Sequence, residues 1–124
     1  MMSDREQIEA TLQAYLDGLY EADAKKISQV FHECCHLFSV NDGKLGDQTR
    51  DAWLERVRQR APGKESGLER KDWIVTIDQS SPATAFAKVQ CQLPPRYFTD
   101  YLTLVKLESG WRIVSKTFHT DTRL

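Results

Sequence analysis

Residues 96–119 read RYFTDYLTLVKLESGWRIVSKTFH. Two runs rich in β-branched and aromatic residues, 97–107 and 111–118, flank the triplet Glu108-Ser109-Gly110. The glycine supplies the positive φ angle that a tight chain reversal needs. This stretch therefore predicts a long antiparallel hairpin.

The first strand of this hairpin has apolar side chains on both faces. Because side chains alternate across a strand, Tyr97, Tyr101 and Val105 share one face and Phe98 and Leu102 share the other. An antiparallel sheet with one wet face alternates cleanly between apolar and polar residues, so both faces of this sheet should be covered. We expect helices on one face and, in a chain this short, a second copy of the chain on the other. The pattern predicts a homodimer through the sheet.

The order of these motifs along the chain resembles a known family. The pattern FTDYLTLVKLESGWRIVSKTF is similar to the C-terminal hairpin of the SnoaL-like, NTF2-like superfamily, especially its subgroup described as "putative lumazine-binding". The first half resembles the same family in YLDGL at 15–19, Asp23, FH at 31–32 and DGK at 42–44. The resemblance implies an α+β cone in which a bent antiparallel sheet wraps around helices, with a pocket inside and frequent dimers. It does not imply one activity, because this scaffold carries isomerases, dehydratases, cyclases, binding proteins and transport factors.

The first half of the chain predicts two helices before any strand. Ser3 and Glu6 have the spacing of a capping box, and apolar residues then repeat at helical intervals to give one stripe. Asp23 can cap a shorter second helix, which we expect to carry Val30 and Phe31 inward.

The remaining elements continue the same α+β order. They are a short strand at 35–40, a strand at 44–48, a helix at 50–60 capped by Thr49, strands at 68–79 and 83–93, and the final hairpin. Helices followed by a run of strands predict an α+β fold with three helices on one antiparallel sheet. At 124 residues the chain fits one domain, 1–124.

Composition excludes several classes of partner. The formal charge is −1 and no basic run interleaves with aromatic residues, so we expect no nucleic-acid partner. No apolar run approaches the roughly 20 residues of a membrane span, and residues 1–10 are too polar for a signal peptide. Three cysteines, two of them adjacent, form no disulfide framework and suit a reducing compartment. We therefore expect a cytoplasmic protein.

The cluster His32-Glu33-Cys34-Cys35-His36 has the residue types of a zinc site. In an extended segment His32, Cys34 and His36 project to one side, and imidazole and thiolate are good zinc ligands. The paired spacing of usual zinc sites is absent, so we predict no metal and retain His32 as a ligand contact. No phosphate-binding loop, nucleophile elbow or acidic metal-binding loop is present either, and no cofactor is predicted.

Asp100 is the strongest candidate for chemistry. It lies mid-strand among Phe98, Leu102 and Leu104, where a carboxylate must be hydrogen-bonded, paired or more easily protonated than usual. The resemblance implies an acid in the pocket, which favours a general base. The alternative is a structural carboxylate paired with Lys116.

His119 follows the last strand, in register with Trp111 and Ile113. Imidazole changes protonation near neutral pH, so a histidine facing Asp100 or the inside of the cone would be a second catalytic candidate. The alternative is an exposed residue near the chain end.

Aromatic side chains are abundant, and most should belong to the core. A cone lined with tyrosine and tryptophan is also a natural site for a flat or hydrophobic small molecule. We predict Tyr15, His32, Trp53 and Lys116 as ligand-binding residues.

Three functions stay open. The chain is expected to bind an unknown small hydrophobic or aromatic molecule in the cone without catalysis. The alternative is an isomerase, dehydratase or cyclase in which Asp100 or His119 is the general base and a tyrosine stabilises an oxyanion. A third possibility is an accessory subunit whose sheet only mediates association.

Overall fold

Three helices and six strands make up the chain in the order that the sequence predicts. The structure is a computed structural model that describes residues 1–124. The elements are α1 (Asp4–Glu21), α2 (Ala24–Ser28), β1 (Phe31–Asn41), β2 (Lys44–Thr49), α3 (Arg50–Arg58), β3 (Trp73–Ser81), β4 (Thr84–Leu93), β5 (Arg96–Leu107) and β6 (Gly110–Thr122). The architecture is an α+β cone, as predicted.

Three predicted boundaries are wrong by several residues: the junction of α2 and β1, the start of β3, and the end of β6, which reaches Thr122 and therefore includes His119. Helix α2 ends at Ser28, and Phe31 is the first residue of β1 instead of a helical residue. The reason is tertiary: Phe31 pairs with Ile113 of β6, and the Ile113 N–H donates to the carbonyl of Val30 at 2.8 Å. Strand β3 begins at Trp73, not at residue 68.

The first helix is capped and buried as expected. Ser3 Oγ accepts from the Glu6 N–H at 3.1 Å, and Glu6 Oε1 accepts from the Ser3 N–H at 3.2 Å, which completes the capping box. The buried stripe of α1 contains Ile8, Leu12, Tyr15, Leu16 and Leu19. This stripe packs inside the cone and brings Tyr15 to the inner face of the sheet.

All six strands form one sheet in the order β2-β1-β6-β5-β4-β3. Neighbouring pairs are antiparallel except β1 and β6, which run parallel. The hairpin β5–β6 lies at the centre, and Gly110, with φ of 112°, closes its turn as predicted. The sequence that decides the fold thus occupies the middle of the sheet.

A β-bulge interrupts the central hairpin. Thr103 pairs with Ser115 and Leu104 with Ile113, so Val114 is an extra residue on β6. An extra residue reverses the alternation of inward and outward side chains beyond it. Ile113 is buried before the bulge, and Lys116 is buried after it.

The core fills the space between the helices and the inner face of the sheet. It is a single cluster of 24 buried residues drawn from all three helices and from β1, β3, β4, β5 and β6. Only three polar residues are as well buried: Thr11, Asp100 and Lys116. Two of these three belong to the site described next. No helix combines the length and apolar character that crossing a membrane requires.

Candidate ligand-binding site

Tyr15, Asp100 and Lys116 form a buried polar network inside the cone. The Tyr15 hydroxyl donates to Asp100 Oδ2 at 2.5 Å, and Lys116 Nζ donates to the same hydroxyl oxygen at 2.8 Å. Lys116 Nζ lies 3.8 Å from Asp100 Oδ2, too far for a direct hydrogen bond. The tyrosine hydroxyl therefore links the cation to the carboxylate.

Each member of this network comes from a different element. Tyr15 lies on the buried stripe of α1, Asp100 on the inner face of β5, and Lys116 on β6 beyond the bulge. Asp100 is paired in register with Phe118, and Lys116 with Leu102, so the two charged residues are diagonal neighbours on one face. The bulge is what turns Lys116 toward Asp100.

Burial fixes the proton on Tyr15. Desolvation, followed by the negative charge of Asp100, raises the pKa of Tyr15 well above its usual value of 10.0. The hydroxyl therefore stays protonated and donates to Asp100 while it accepts from Lys116. Asp100 Oδ1, the other carboxylate oxygen, is buried and has no hydrogen-bond partner.

Aromatic rings surround the Lys116 ammonium. Nζ lies 4.5 Å from the centroid of the Trp53 ring, 5.0 Å from that of Phe118 and 5.1 Å from that of Tyr15. Contacts of a cation with ring faces at such distances are attractive, and more so when the cation is desolvated. Lys116 is thus held by its two polar partners and by an aromatic wall.

A cleft of about 860 Å³ opens in front of Lys116. Its walls come from α1, α3, β1, β2, β4, β5 and β6. The main apolar lining residues are Leu37, Phe38, Trp53, Val57, Leu93, Phe98 and Phe118. Phe98 and Phe118 meet edge to face, with ring centroids 6.5 Å apart. The cleft therefore offers flat apolar walls with the polar network at its closed end.

Every charged residue that lines the cleft at neutral pH is a cation. These residues are Arg56, Arg60, Arg96 and Lys116, and no aspartate or glutamate belongs to the lining. Asp100 lies behind Lys116 and is fully buried.

The two buried cysteines near this network are unreactive thiols. Burial raises the pKa of Cys35 to about 12, and burial also raises the pKa of Cys91, which lies close to Tyr15 and Asp100. A thiolate is the reactive form of cysteine, so neither is suited to act as a nucleophile. Cys91 belongs to the buried apolar core.

The structure brings four of the six predicted site residues together. Trp53 and Lys116 line the cleft, and Tyr15 and Asp100 lie directly behind them. Tyr15 does not line the cleft itself, because its hydroxyl is directed into the network and the side chain is fully buried. Asp100 is likewise sealed from the cleft, on the buried face that it shares with Leu102 and Leu104.

Of the two alternatives for His119, the structure supports the exposed residue and not the one that faces Asp100. His119 pairs with Thr99, whereas Asp100 pairs with Phe118, so the two side chains lie on opposite faces of the sheet. The bulge at Val114 is the physical reason, since it reverses the register that would have placed His119 with Trp111 and Ile113. His119 is exposed and borders the mouth of the cleft.

His32 does not reach the cleft either. Its Nδ1 accepts from the backbone N–H of Cys34 at 3.1 Å, a local contact at the irregular start of β1. His36 Nδ1 lies 2.7 Å from Asp47 Oδ1, and Cys34 is exposed. The structure brings together no group of three or more His, Cys, Asp or Glu side chains around a common point.

The arginines and the phenylalanine pair of the cleft were not predicted from the sequence. Arg60 follows α3, Arg96 begins β5, and Phe98 and Phe118 belong to the central hairpin. Phe98 shares the face of Asp100 by strand alternation, so it was accessible to pattern reasoning. Nothing in the sequence marked the arginines as site residues, because charged residues at the ends of helices and strands are ordinarily solvated.

Comparison with known families settles the classification. The sequence model of the family described as "Putative lumazine-binding" matches residues 3–119. The chain belongs to this NTF2-like family. The predicted family and fold are therefore confirmed.

Solved structures of NTF2-like proteins share the whole fold of this family member. A protein of unknown function from Shewanella baltica is 26% identical, with a TM-score of 0.87 over 97% of this chain and 95% of that chain. A ketosteroid isomerase-like protein from Erwinia carotovora atroseptica is 16% identical, with a TM-score of 0.75 over 99% of this chain and 100% of that chain. At that identity the second likeness shows the fold alone.

A curated relative of this family member carries the name of an enzyme. Aldolase FrzH of Cladobotryum sp is 24% identical over 123 residues, which cover 98% of this chain and 94% of the relative. The likeness thus extends over nearly the full length of both proteins.

Proposed function

We propose that this NTF2-like protein binds a small, flat, largely apolar molecule in the cleft in front of Lys116. The observation that carries the proposal is the cleft itself, in which aromatic and aliphatic side chains lie beside the buried, hydrogen-bonded cation of Lys116. Its volume falls within the roughly 300–1,000 Å³ of small-molecule sites, which combine apolar walls with a few placed polar groups. The family description names lumazine, a flat bicyclic molecule of suitable shape.

The proposed ligand lies against Trp53, Phe98 and Phe118, with a polar atom toward Lys116. Lys116 Nζ has three N–H groups, one of which donates to Tyr15. An ammonium in this position can donate to a carbonyl or ring nitrogen of the ligand. Tyr15 and Asp100 orient it from behind and do not touch the ligand.

A titration with the neutral fluorophore N-phenyl-1-naphthylamine tests this proposal. We expect saturable binding at one site per chain, with displacement by lumazine as a second readout. Phe98→Ala should weaken binding at least tenfold, because it removes an apolar wall. Tyr97→Ala is the matched control: Tyr97 is the preceding half-buried aromatic and packs on Arg123 outside the cleft. Equal weakening by both variants, or no saturable binding, would contradict the proposal.

A second candidate function uses the same cleft for carbonyl chemistry. The network of Lys116, Tyr15 and Asp100 supports it, as does the name of the relative from Cladobotryum. In this alternative Lys116 is the catalytic residue, since it is the member of the network that lines the cleft, and its ammonium stabilises the oxyanion that develops at a substrate carbonyl. Asp100 and Tyr15 are positioning residues.

Retro-aldol cleavage of 4-hydroxy-4-(6-methoxy-2-naphthyl)-2-butanone would test the catalytic alternative. Cleavage releases a fluorescent naphthaldehyde and acetone. Catalysis that is lost in Lys116→Met and retained in Lys44→Met, an exposed lysine outside the cleft, would support it. A wild-type rate equal to that of the Lys116→Met variant would count against it.

We also propose that the chain acts as one domain, in the cytoplasm, as a homodimer through the outer face of the sheet. A single core cluster supports one domain, and free cysteines, one of them exposed, support a reducing compartment. The outer face exposes Trp73, Val75 and Tyr101 by 51%, 43% and 48%, an apolar patch of the kind that marks interaction sites. Sedimentation should return a dimer at micromolar concentration and a monomer for Tyr101→Glu. A wild-type monomer would refute the dimer.

A further inference from the structure

Arginines outside the cleft are mostly paired with carboxylates, and those inside it are not. Ion pairs join a carboxylate to Arg5, Arg50, Arg58, Arg70 and Arg123. Arg56, Arg60, Arg96 and Arg112 form none. Arg112 donates to two backbone carbonyls near its own turn, and the other three line the cleft.

Arg60 has a donor group that no protein atom satisfies. One terminal nitrogen, Nη2, donates to the carbonyl of Leu19, which fixes the guanidinium beside the end of α1. The other, Nη1, is buried and has no hydrogen-bond partner. A buried donor without an acceptor destabilises the folded protein. Arg60 also lines the cleft, so its guanidinium lacks a protein carboxylate at a place where a ligand can supply one.

Arg96 places a second positive charge near Arg60. Burial, and after it the positive charge of Arg96, lower the pKa of Arg60. Arg96 Cζ lies 6.0 Å from the centroid of the Phe98 ring, so this cation stands beside an apolar wall of the cleft. Two like charges with no carboxylate between them repel each other unless an anion lies close by.

We infer that the ligand is an anion: a small molecule whose acidic group is bound by Arg60 and Arg96 while its flat apolar body contacts Phe98, Phe118 and Trp53. Guanidinium groups bind carboxylate, sulfonate and phosphate oxygens through paired N–H donors, which gives both affinity and orientation. Lys116 does not supply this charge, because Asp100 balances it. The inference rests on the proposed function and names the ligand class of the same cleft.

The cations of the cleft do not reflect a generally basic protein. The formal net charge is −1, with 18 acidic and 17 basic residues, yet the cleft lining holds cations alone. A concave site lined by one sign of charge concentrates ligands of the opposite sign.

Two fluorophores with the same ring system separate charge from apolar contact. The probe 8-anilinonaphthalene-1-sulfonate carries a sulfonate, and N-phenyl-1-naphthylamine is its neutral counterpart. We expect the sulfonate probe to bind wild-type protein at least tenfold more tightly than the neutral probe. Arg60→Gln and Arg96→Gln should each weaken sulfonate binding at least fivefold and change neutral binding less than twofold.

Arg58→Gln is the matched control variant. Arg58 lies on α3 two residues before Arg60, pairs with Glu55 and does not line the cleft. Arg58→Gln removes the same charge from the same region as Arg60→Gln. Because Arg58 does not line the cleft, this variant should leave the binding of both probes unchanged. An equal loss of sulfonate binding in Arg58→Gln and Arg60→Gln would mean that the effect is long-range charge, which would overturn the inference.

The outcomes distinguish this inference from the proposed function. If the neutral probe binds and the sulfonate probe binds no more tightly, the cleft is a ligand site but the anion inference is wrong. If neither probe binds, the proposed function fails together with the inference. Competition then identifies the acid: 2-naphthoate or 2-naphthyl phosphate should displace the sulfonate probe at one tenth of the concentration of 2-naphthamide or less. Equal displacement by 2-naphthamide would again overturn the inference.

Discussion

Charged residues have partners of opposite charge at the closed end of the cone but not at the mouth of the cleft. At the closed end, Lys116, Tyr15 and Asp100 are joined by hydrogen bonds in a buried setting, and the positive charge of Lys116 is balanced by Asp100, although Asp100 Oδ1 has no partner. At the mouth, Arg60 and Arg96 have no carboxylate partner, and one Arg60 donor is unsatisfied. Charged groups that are paired with one another stabilise the fold, whereas charged groups without a partner are available to a ligand. The comparison therefore predicts large stability effects at the closed end and binding effects without stability loss at the mouth.

The largest stability effect is expected when the buried cation is removed. Lys116→Met leaves Asp100 buried without a balancing charge, so we expect a loss of about 3–5 kcal/mol in the free energy of unfolding, measured by urea denaturation. Adding Asp100→Asn in the same chain should restore part of the loss, because it removes the unbalanced charge. Lys44→Met, at an exposed site, is the control and should change the value by less than about 0.5 kcal/mol. A Lys116→Met variant as stable as this control would contradict the claim that the buried network stabilises the fold.

Removal of the Tyr15 hydroxyl should lower the free energy of unfolding less than removal of the Lys116 ammonium does. Tyr15→Phe keeps the ring but removes one accepted and one donated hydrogen bond, so Lys116 and Asp100 lose their shared partner. We expect the free energy of unfolding to fall by about 1–3 kcal/mol. Tyr101→Phe, at an exposed tyrosine of the outer face, should have no measurable effect. Equal effects of the two variants would mean that the network does not stabilise the fold.

Alkaline pH should weaken the protein through the same residue. The folded-state pKa of Tyr15 is raised above 10.0, so above pH 10 the unfolded chain releases this proton while the folded chain keeps it. The stability is then fully present below pH 10 and falls as the pH rises toward the folded pKa, by up to about 1.4 kcal/mol per pH unit. In Tyr15→Phe this contribution is absent, so unfolding free energy should decline less steeply above pH 10. Parallel pH profiles for the two proteins would contradict the assignment.

The smallest stability effect is expected at the mouth. Arg96 is exposed and forms no ion pair, so Arg96→Gln should change the free energy of unfolding by less than about 0.5 kcal/mol. The same variant should nevertheless weaken binding of 8-anilinonaphthalene-1-sulfonate, as described above. A stability loss as large as that of Tyr15→Phe would place Arg96 among the structural residues instead.

Much of the fold was predictable because local patterns carry it. The capping box at Ser3 and Glu6, the apolar stripe through Tyr15 and the Gly110 turn are all short-range signals, and the structure confirms each of them. The resemblance of the hairpin to the NTF2-like family supplied the cone. Strand alternation placed Asp100 among Phe98, Leu102 and Leu104, but it left open which face of the sheet is internal.

The site was less predictable because it depends on one extra residue and on distant partners. A β-bulge has no single-residue signature, so nothing in the sequence around Val114 showed that Lys116, and not His119, would be inward. The parallel pairing of β1 with β6 joins segments about 80 residues apart, and it decides where β1 begins. The unpaired state of Arg60 and Arg96 is visible only once the positions of all carboxylates are known.

Tryptophan signals offer the most direct test of the central claim, that the cleft is the ligand site. The three tryptophans report on three places: Trp53 lines the cleft, Trp111 is 2% exposed in the core, and Trp73 is 51% exposed outside the cleft. Their indole N–H resonances can be followed by NMR, with assignments from single Trp→Phe variants, while 8-anilinonaphthalene-1-sulfonate is added. We predict a saturable shift of the Trp53 resonance, with little change at Trp73 and Trp111. A saturable shift at Trp73 with none at Trp53 would show that binding occurs elsewhere and would contradict the account.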